Sequence, residues 1–151
     1  MLLKGVFMDI KEFKKFVDEV LLANGMKKRR SNYYFDNEDI ISVLGLQKTS
    51  YTNGYYLNLS YVIKDLNTKE ISNYTNGNIR LSFKFKYNRK LTDLIEIHNV
   101  EKELLIEQFD KNINKYILSI KSISDLQKLL KKEPELLFHT TLETKKFLDI
   151  D

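Results

Sequence analysis

Side chains able to do acid–base, nucleophilic or metal chemistry are sparse in this chain of 151 residues. It contains no cysteine, which excludes disulfides, thiolate metal sites and a cysteine nucleophile. Its two histidines, His98 and His139, fall in different expected elements. Glu96 and Glu101 flank His98, but a zinc centre needs three or four convergent ligands, and no paired-histidine spacing is present. Glycines at 5, 25, 45, 54 and 77 are too scattered for a phosphate-cradling loop. The run Asp36-Asn37-Glu38-Asp39 carries the oxygen ligands of a hard cation. It reads instead as a solvated hairpin turn, because Asp and Asn bond their own backbone there. No catalytic set, metal or cofactor is expected, and the chain is not expected to be an enzyme. Any hydrolysis would fall to carboxylates, Lys or Tyr that nothing separates from surface charge.

Binding chemistry is better represented. Lys27, Lys28, Arg29 and Arg30 form one basic run, and Arg80, Lys84 and Lys86, followed by Arg89 and Lys90, form a second. Tyr33, Tyr34, Tyr55 and Tyr56 lie near them in sequence, and cations interleaved with aromatics suit single-stranded nucleic acid. The net charge is only +4, however, and Phe83, Phe85 and Tyr87 alternate with the second run as a core face would. Between residues 93 and 110 the balance reverses: Asp93, Glu96, Glu101, Glu103, Glu107 and Asp110 meet only Lys102. Such a surface can steer a basic partner, although acids also suit the first turns of a helix. Tyr34 and Tyr56, on the less apolar side of their expected strands, are candidate contacts because exposed Tyr is enriched in binding hot spots.

The elements that must position these groups follow from periodicity. Ile10, Phe13, Phe16, Val17, Val20 and Leu21 recur at helical spacing over residues 9–24. Asp9 with Glu12 predicts a capping box, and Asn24-Gly25 a stop. The period then becomes two. Strands are expected at 31–36, 40–48, 55–64 and 78–87, with turns at Asp36–Asp39 and Thr52-Asn53-Gly54 and a polar loop at 65–77. Helical spacing returns over 100–120. Ser124 with Gln127 predicts a capped short helix to about Lys132, Pro134 opens a further turn, and Thr140 with Glu143 is a last cap.

The expected class is therefore α+β: an antiparallel sheet of four to five strands, an N-terminal helix packed on one face and a helical segment over residues 99–151. Residues 1–151 read as a single domain, large enough to bury a core unaided. Residues 1–8 are an upstream start or a short strand. The stretch MLLKGVFM is too short and too interrupted for a signal peptide, and no apolar run approaches the roughly 20 residues of a membrane span. A cytoplasmic location is expected. The excess of Lys over Arg suits an AT-rich bacterial genome.

Several phrases carry a resemblance. They are Asn24-Gly25-Met26-Lys27-Lys28, the strand from Ile40 to Leu46 ending in Gln47-Lys48, Gly54-Tyr55-Tyr56-Leu57-Asn58-Leu59, and Ile79-Arg80-Leu81-Ser82. Over residues 10–95 this resembles the bacterial domain of unknown function numbered 4304. Met26 stands where that family usually has Phe, and Thr49 precedes Ser50 in the Gln-Lys phrase. The family has no assigned reaction. By analogy with other small α+β bacterial proteins, the expectation is an immunity or antitoxin protein that binds and occludes a toxin. The contacts expected for it are Tyr34, Tyr56, Glu96, Glu101, Glu103 and Glu107. The alternative is a nucleic-acid-binding module using the basic runs at 27–30 and 80–90.

Overall fold

The computed structural model describes residues 7–66 and 77–150. Residues 1–6 of the stretch expected as an upstream start or a short strand (1–8), and residues 67–76 of the expected loop at 65–77, fall outside them.

Helix α1 spans Ile10–Ala23. Its capping box forms as the sequence predicts: the Glu12 N–H donates to Asp9 Oδ1 at 2.8 Å, and the Asp9 N–H donates to Glu12 Oε1 at 3.3 Å. At the other end Gly25 takes φ +90°, and the Met26 N–H reaches back to the Leu21 carbonyl at 3.1 Å. That closure needs a left-handed residue, which glycine supplies without a Cβ clash.

The α+β architecture stands as read, with the sheet extended to six antiparallel strands. Strands β1 (Lys27–Arg29), β2 (Asn32–Asp36), β3 (Ile40–Lys48), β4 (Gly54–Ile63) and β5 (Ile79–Ser82) form a meander in that order. The basic run Lys27–Arg29 is thus itself an edge strand, and Arg30 turns the hairpin with φ +58°. The acidic turn closes β2 onto β3 through the Asn37 N–H to the Ile40 carbonyl at 2.9 Å, and Lys64 pairs with Asp36 at 2.6 Å.

The expected strand at 78–87 is a correction. It breaks at Phe83-Lys84 into β5 and β6 (Phe85–Tyr87), and β6 pairs with β7 (Lys90–Thr92) as a separate ribbon. The chain then returns as β8 (Leu94–Glu96), which pairs with β4 at Gly54–Tyr56, beyond the stretch held by β5. The cause lies in α2 (Lys102–Ile113): its Asn112 and Gln108 side chains bond the Lys84 and Lys86 backbone, drawing the strand off β4.

After α2 comes a π-helical turn, Asn114–Leu118, then α3 (Ile123–Lys132), a 3-10 turn over Pro134–His139, and α4 (Leu142–Phe147). Two caps shift from their expected places. The α3 box is Ser122 with Asp125, not Ser124 with Gln127, and α4 is capped by Thr141 rather than Thr140. Burial of Leu126, Leu129 and Leu130 fixes the phase of α3, and Thr140 is instead bridged to Ile79 of β5.

One face of the sheet carries Leu44, Leu57, Leu59, Tyr61, Ile79 and Leu81 inward. Helices α1 and α2 cover it, joined by the edge-on contact of Phe16 and Phe109 at 5.1 Å, and Phe13 packs on Tyr55 at 5.3 Å. Phe83, Phe85 and Tyr116 complete this aromatic centre.

Candidate functional site

The opposite face of the sheet is polar where β3, β4 and β5 meet. Register places Asn58 opposite both Gly45 and Ser82, with Gln47 opposite the neighbouring Tyr56. The Ser82 hydroxyl donates to Asn58 Oδ1 at 2.6 Å, and Asn58 Nδ2 donates to Gln47 Oε1 at 2.7 Å. These bonds run as a ladder across three strands and fix each amide in one orientation. The Gln47 NH2 is left as its open end.

This ladder floors a cleft of about 590 Å³ at the free edge of β5. The sheet side supplies Arg80, Ser82 and Lys84, with Asp93 from the turn before β8; Glu133, Glu135 and His139 come from the segment around the 3-10 turn. That segment is held by hydrogen bonds from below. Tyr61, wholly buried on β4, donates its hydroxyl to the Tyr116 carbonyl at 2.6 Å. Tyr116 in turn donates to Glu133 Oε1 at 2.8 Å, and Lys115 Nζ lies 3.3 Å from the same oxygen. Burial pushes the Tyr61 hydroxyl well above its ordinary range. Burial and the Glu133 carboxylate do the same to Tyr116. Both remain donors at any physiological pH. Glu133 Oε2 is buried without a hydrogen-bond partner among the described residues.

A second, more open groove of about 620 Å³ lies between the end of α2 and α3, with Lys111, Lys115, Lys128 and Lys132 on its rim. Lys111 pairs with Glu107 at 3.2 Å and Lys115 with Glu133, so two of its four cations are already engaged.

Residues 17–122 match the family described as Domain of unknown function (DUF4304). The chain belongs to that family. No curated protein and no solved structure matches it. The DUF4304 span contains the whole polar ladder and the Arg80 wall of the cleft, whereas Glu133, Glu135 and His139 lie beyond it.

Within this DUF4304 chain the expected contact residues divide between two surfaces. Tyr34, Tyr56 and Glu96 share the polar face of the sheet, where both tyrosines are half-buried and Glu96 accepts the Thr52 hydroxyl at 3.0 Å. Glu101, Glu103 and Glu107 are exposed on α2, which packs on the other face. The alternative set is also divided. Lys27, Lys28, Arg29 and Arg30 occupy the β1 edge, and Arg80 and Lys84 the β5 edge, with Lys86 on the ribbon. Four strand spacings separate the two edges, roughly 19 Å. Lys28 is committed to Asp18 at 2.9 Å and lies over the Tyr33 ring. His98 and His139 sit apart, the first exposed after β8 and the second in the cleft.

Gln47, Asn58, Ser82 and Glu133 were not singled out as site residues. The first three stand at outward positions of alternating strands, which is the visible signal. Their convergence depends on register, and that of Glu133 on the packing of α3.

Proposed function

We propose that this protein is a non-enzymatic interaction module, an immunity- or antitoxin-type protein that binds a bacterial toxin and occludes it, acting in the cytoplasm. One observation carries the reading. Glu103, Ile106, Glu107 and Asp110, at positions i, i+3, i+4 and i+7, share the outer side of α2, and Ile106 is 47% exposed among the three acids. Acids around an apolar contact suit a basic protein surface: the charge steers the encounter and the isoleucine is desolvated on docking. On this reading Glu101 extends the acidic rim. Tyr34, Tyr56 and Glu96, on the far face, do not belong to the contact.

The nucleic-acid alternative is less well supported, because its two basic runs lie at opposite sheet edges and offer no continuous track for a backbone. The test is a tagged pull-down from the native host at low and high salt, with mass spectrometry. Co-expression of the captured protein in sensitive cells follows. The expected outcome is one stoichiometric partner whose toxicity this chain neutralises. Recovery of nucleic acid that is lost at high salt, with no such partner, overturns it.

A further inference from the structure

The cleft at the β5 edge is not used by that reading, and it lies where a ladder stops. β5 ends the path of the meander, with β4 on one side only. In register Phe83 follows Ser82 and falls opposite Leu57, and its N–H donates to the Leu57 carbonyl at 2.9 Å. Bonded pairs alternate along an antiparallel strand. Leu81 therefore also turns its backbone to β4, while Arg80 and Ser82 turn theirs outward. On that outer side the chain itself starts a further strand. Thr140 is bridged antiparallel to Ile79, and the Thr141 N–H donates to the Asn78 carbonyl at 3.3 Å. The residues before it, Pro134–His139, wind into the 3-10 turn instead of continuing along β5. Beside Arg80, Leu81 and Ser82 the place of that strand is the cleft of about 590 Å³. At its far end the Lys84 backbone is already taken by Asn112, so the open stretch is bounded on both sides.

We propose that this edge takes an extended peptide segment of a partner protein as an added strand, its apolar side chains alternating with acidic or hydroxyl ones. Main-chain bonds to Arg80 and Ser82 supply the affinity, and alternate side chains meet the two sides of the cleft. Leu81 and Leu136, both nearly buried, line the core side and receive the apolar positions. Arg80, Ser82 and Lys84 receive the others. Asp93 and Glu135 line the cleft too, so its total charge selects nothing. The selection is positional. A residue directly opposite Arg80 or Lys84 in a strand pair comes within about 5.5 Å of it between Cβ atoms. Both cations are exposed, and neither is ion-paired among the described residues. They also deter a second copy of this chain, whose β5 would bring like charges together at the same edge.

The test is a titration of the isotope-labelled full chain by amide NMR with acetyl-Glu-Val-Thr-Val-Glu-amide, whose palindromic order fits either strand direction. Two further forms are N-methylated, one at the threonine and one at both valines, so that each loses the N–H groups of one edge. The expected result is saturable shifts centred on Arg80, Leu81 and Ser82. A strand that continues the direction of Thr140 bonds through its threonine, so that methylated form should bind about tenfold more weakly or worse, and the valine form like the parent peptide. Loss on the valine form alone also supports strand addition, with the peptide running parallel. Arg80→Glu, at an exposed position, should weaken binding of this peptide about tenfold and favour acetyl-Lys-Val-Thr-Val-Lys-amide in its place. No saturable shift at millimolar peptide, equal binding of the two methylated forms, affinity indifferent to Arg80→Glu, or shifts centred on β1 would each overturn the proposal. The α2 stripe takes no part, so failure here leaves the toxin-binding reading untouched.

Discussion

The carboxamide of Asn112 completes both hydrogen bonds of the Lys84 backbone: the Lys84 N–H donates to Oδ1 at 3.0 Å, and Nδ2 donates to the Lys84 carbonyl at 2.8 Å. A helix side chain thus takes the place of a neighbouring strand at the point where β5 leaves β4. Nδ2 also donates to the Gln108 carbonyl at 2.8 Å. Asn112→Ala should cost about 1–3 kcal/mol, because two backbone groups lose their partners in a partly buried setting. Urea denaturation measures this directly. The amides of Lys84 and Lys86 should also exchange faster with solvent, while those of β3 keep their protection.

That relationship also explains which parts of the fold were legible. Residues 40–48 are apolar on both faces, as a central strand is, and form β3 over the expected range, because both neighbours of that strand belong to the same meander. Residues 78–87 alternate cleanly, yet the strand divides, since an amide on α2 competes for the Lys84 backbone and no local pattern reports it. The cap of α3 shows a smaller failure of the same kind: two serines each had a polar residue three positions on, and burial chose between them. In the cleft, Gln47, Asn58 and Ser82 were visible as outward strand positions. Only the pairing of Asn58 with both Gly45 and Ser82 turns them into one ladder. The link from Tyr61 through Tyr116 to Glu133 joins residues far apart in sequence and left no trace in it.

Gly77 lies against the central strand. A Cβ built on it would stand 2.2 Å from the Ser60 Cβ and 3.1 Å from the Tyr61 carbonyl oxygen. Ser60 is fully buried on β4 and cannot retreat. Gly77→Ala should destabilise by about 1–3 kcal/mol, the usual range for overpacking. Gly54→Ala meets only side-chain atoms, Leu94 Cδ1 at 2.8 Å, Thr52 Oγ1 at 2.9 Å and Thr49 Cγ2 at 3.1 Å, which can shift more readily than the Ser60 Cβ and the Tyr61 backbone. Thermal unfolding of the two variants should rank Gly77→Ala as the less stable.

Alkaline pH should weaken the fold through its tyrosines. Tyr33, Tyr61 and Tyr116 are all pushed above their ordinary value of 10.0, burial being the largest cause in each. A raised folded-state value means that their contribution is complete below pH 10 and is lost as the pH rises beyond it, when the unfolded chain ionises first. The wholly buried Tyr61 should account for about 1.4 kcal/mol per pH unit in that range. Tyr61→Phe removes this share, so its stability above pH 10 should fall less steeply than that of the parent. It should also be less stable at neutral pH by about 1 kcal/mol, because the Tyr116 carbonyl loses its donor. Chemical denaturation at a series of pH values reads both effects.

On the acid side the group to follow is Asp18. Burial alone would raise it, but the Tyr33 hydroxyl and the Lys28 ammonium, both bonded to its carboxylate, hold it below its ordinary value of 3.8. A lowered folded-state value gives stability that is present above pH 3.8 and lost as the pH falls through the folded value. These bonds tie the middle of α1 to β1 and β2. Asp18→Asn should therefore lower stability at pH 7 and flatten its decline below pH 4. A decline as steep as that of the parent would assign the acid sensitivity to other carboxylates.

Charge reversal on α2 separates the two functional readings. Glu103 and Glu107 are exposed, and the one described ion pair disturbed is Glu107 with Lys111 at 3.2 Å, an i,i+4 contact worth about 0.3–0.5 kcal/mol. Glu103→Lys with Glu107→Lys should leave the melting temperature nearly unchanged. If the stripe steers a basic toxin, the double variant should associate about tenfold more slowly or worse, with the deficit shrinking as salt screens both surfaces. Protection of cells expressing the toxin should fall in parallel. If the chain instead binds nucleic acid, the same substitutions add positive charge and should strengthen binding at low salt, whereas replacing Lys27 and Arg29 by Ala should weaken it and reduce its salt dependence. A rate lost on α2 together with indifference at β1 places the working surface on the acidic helix, and the opposite pattern moves it to the basic sheet edge.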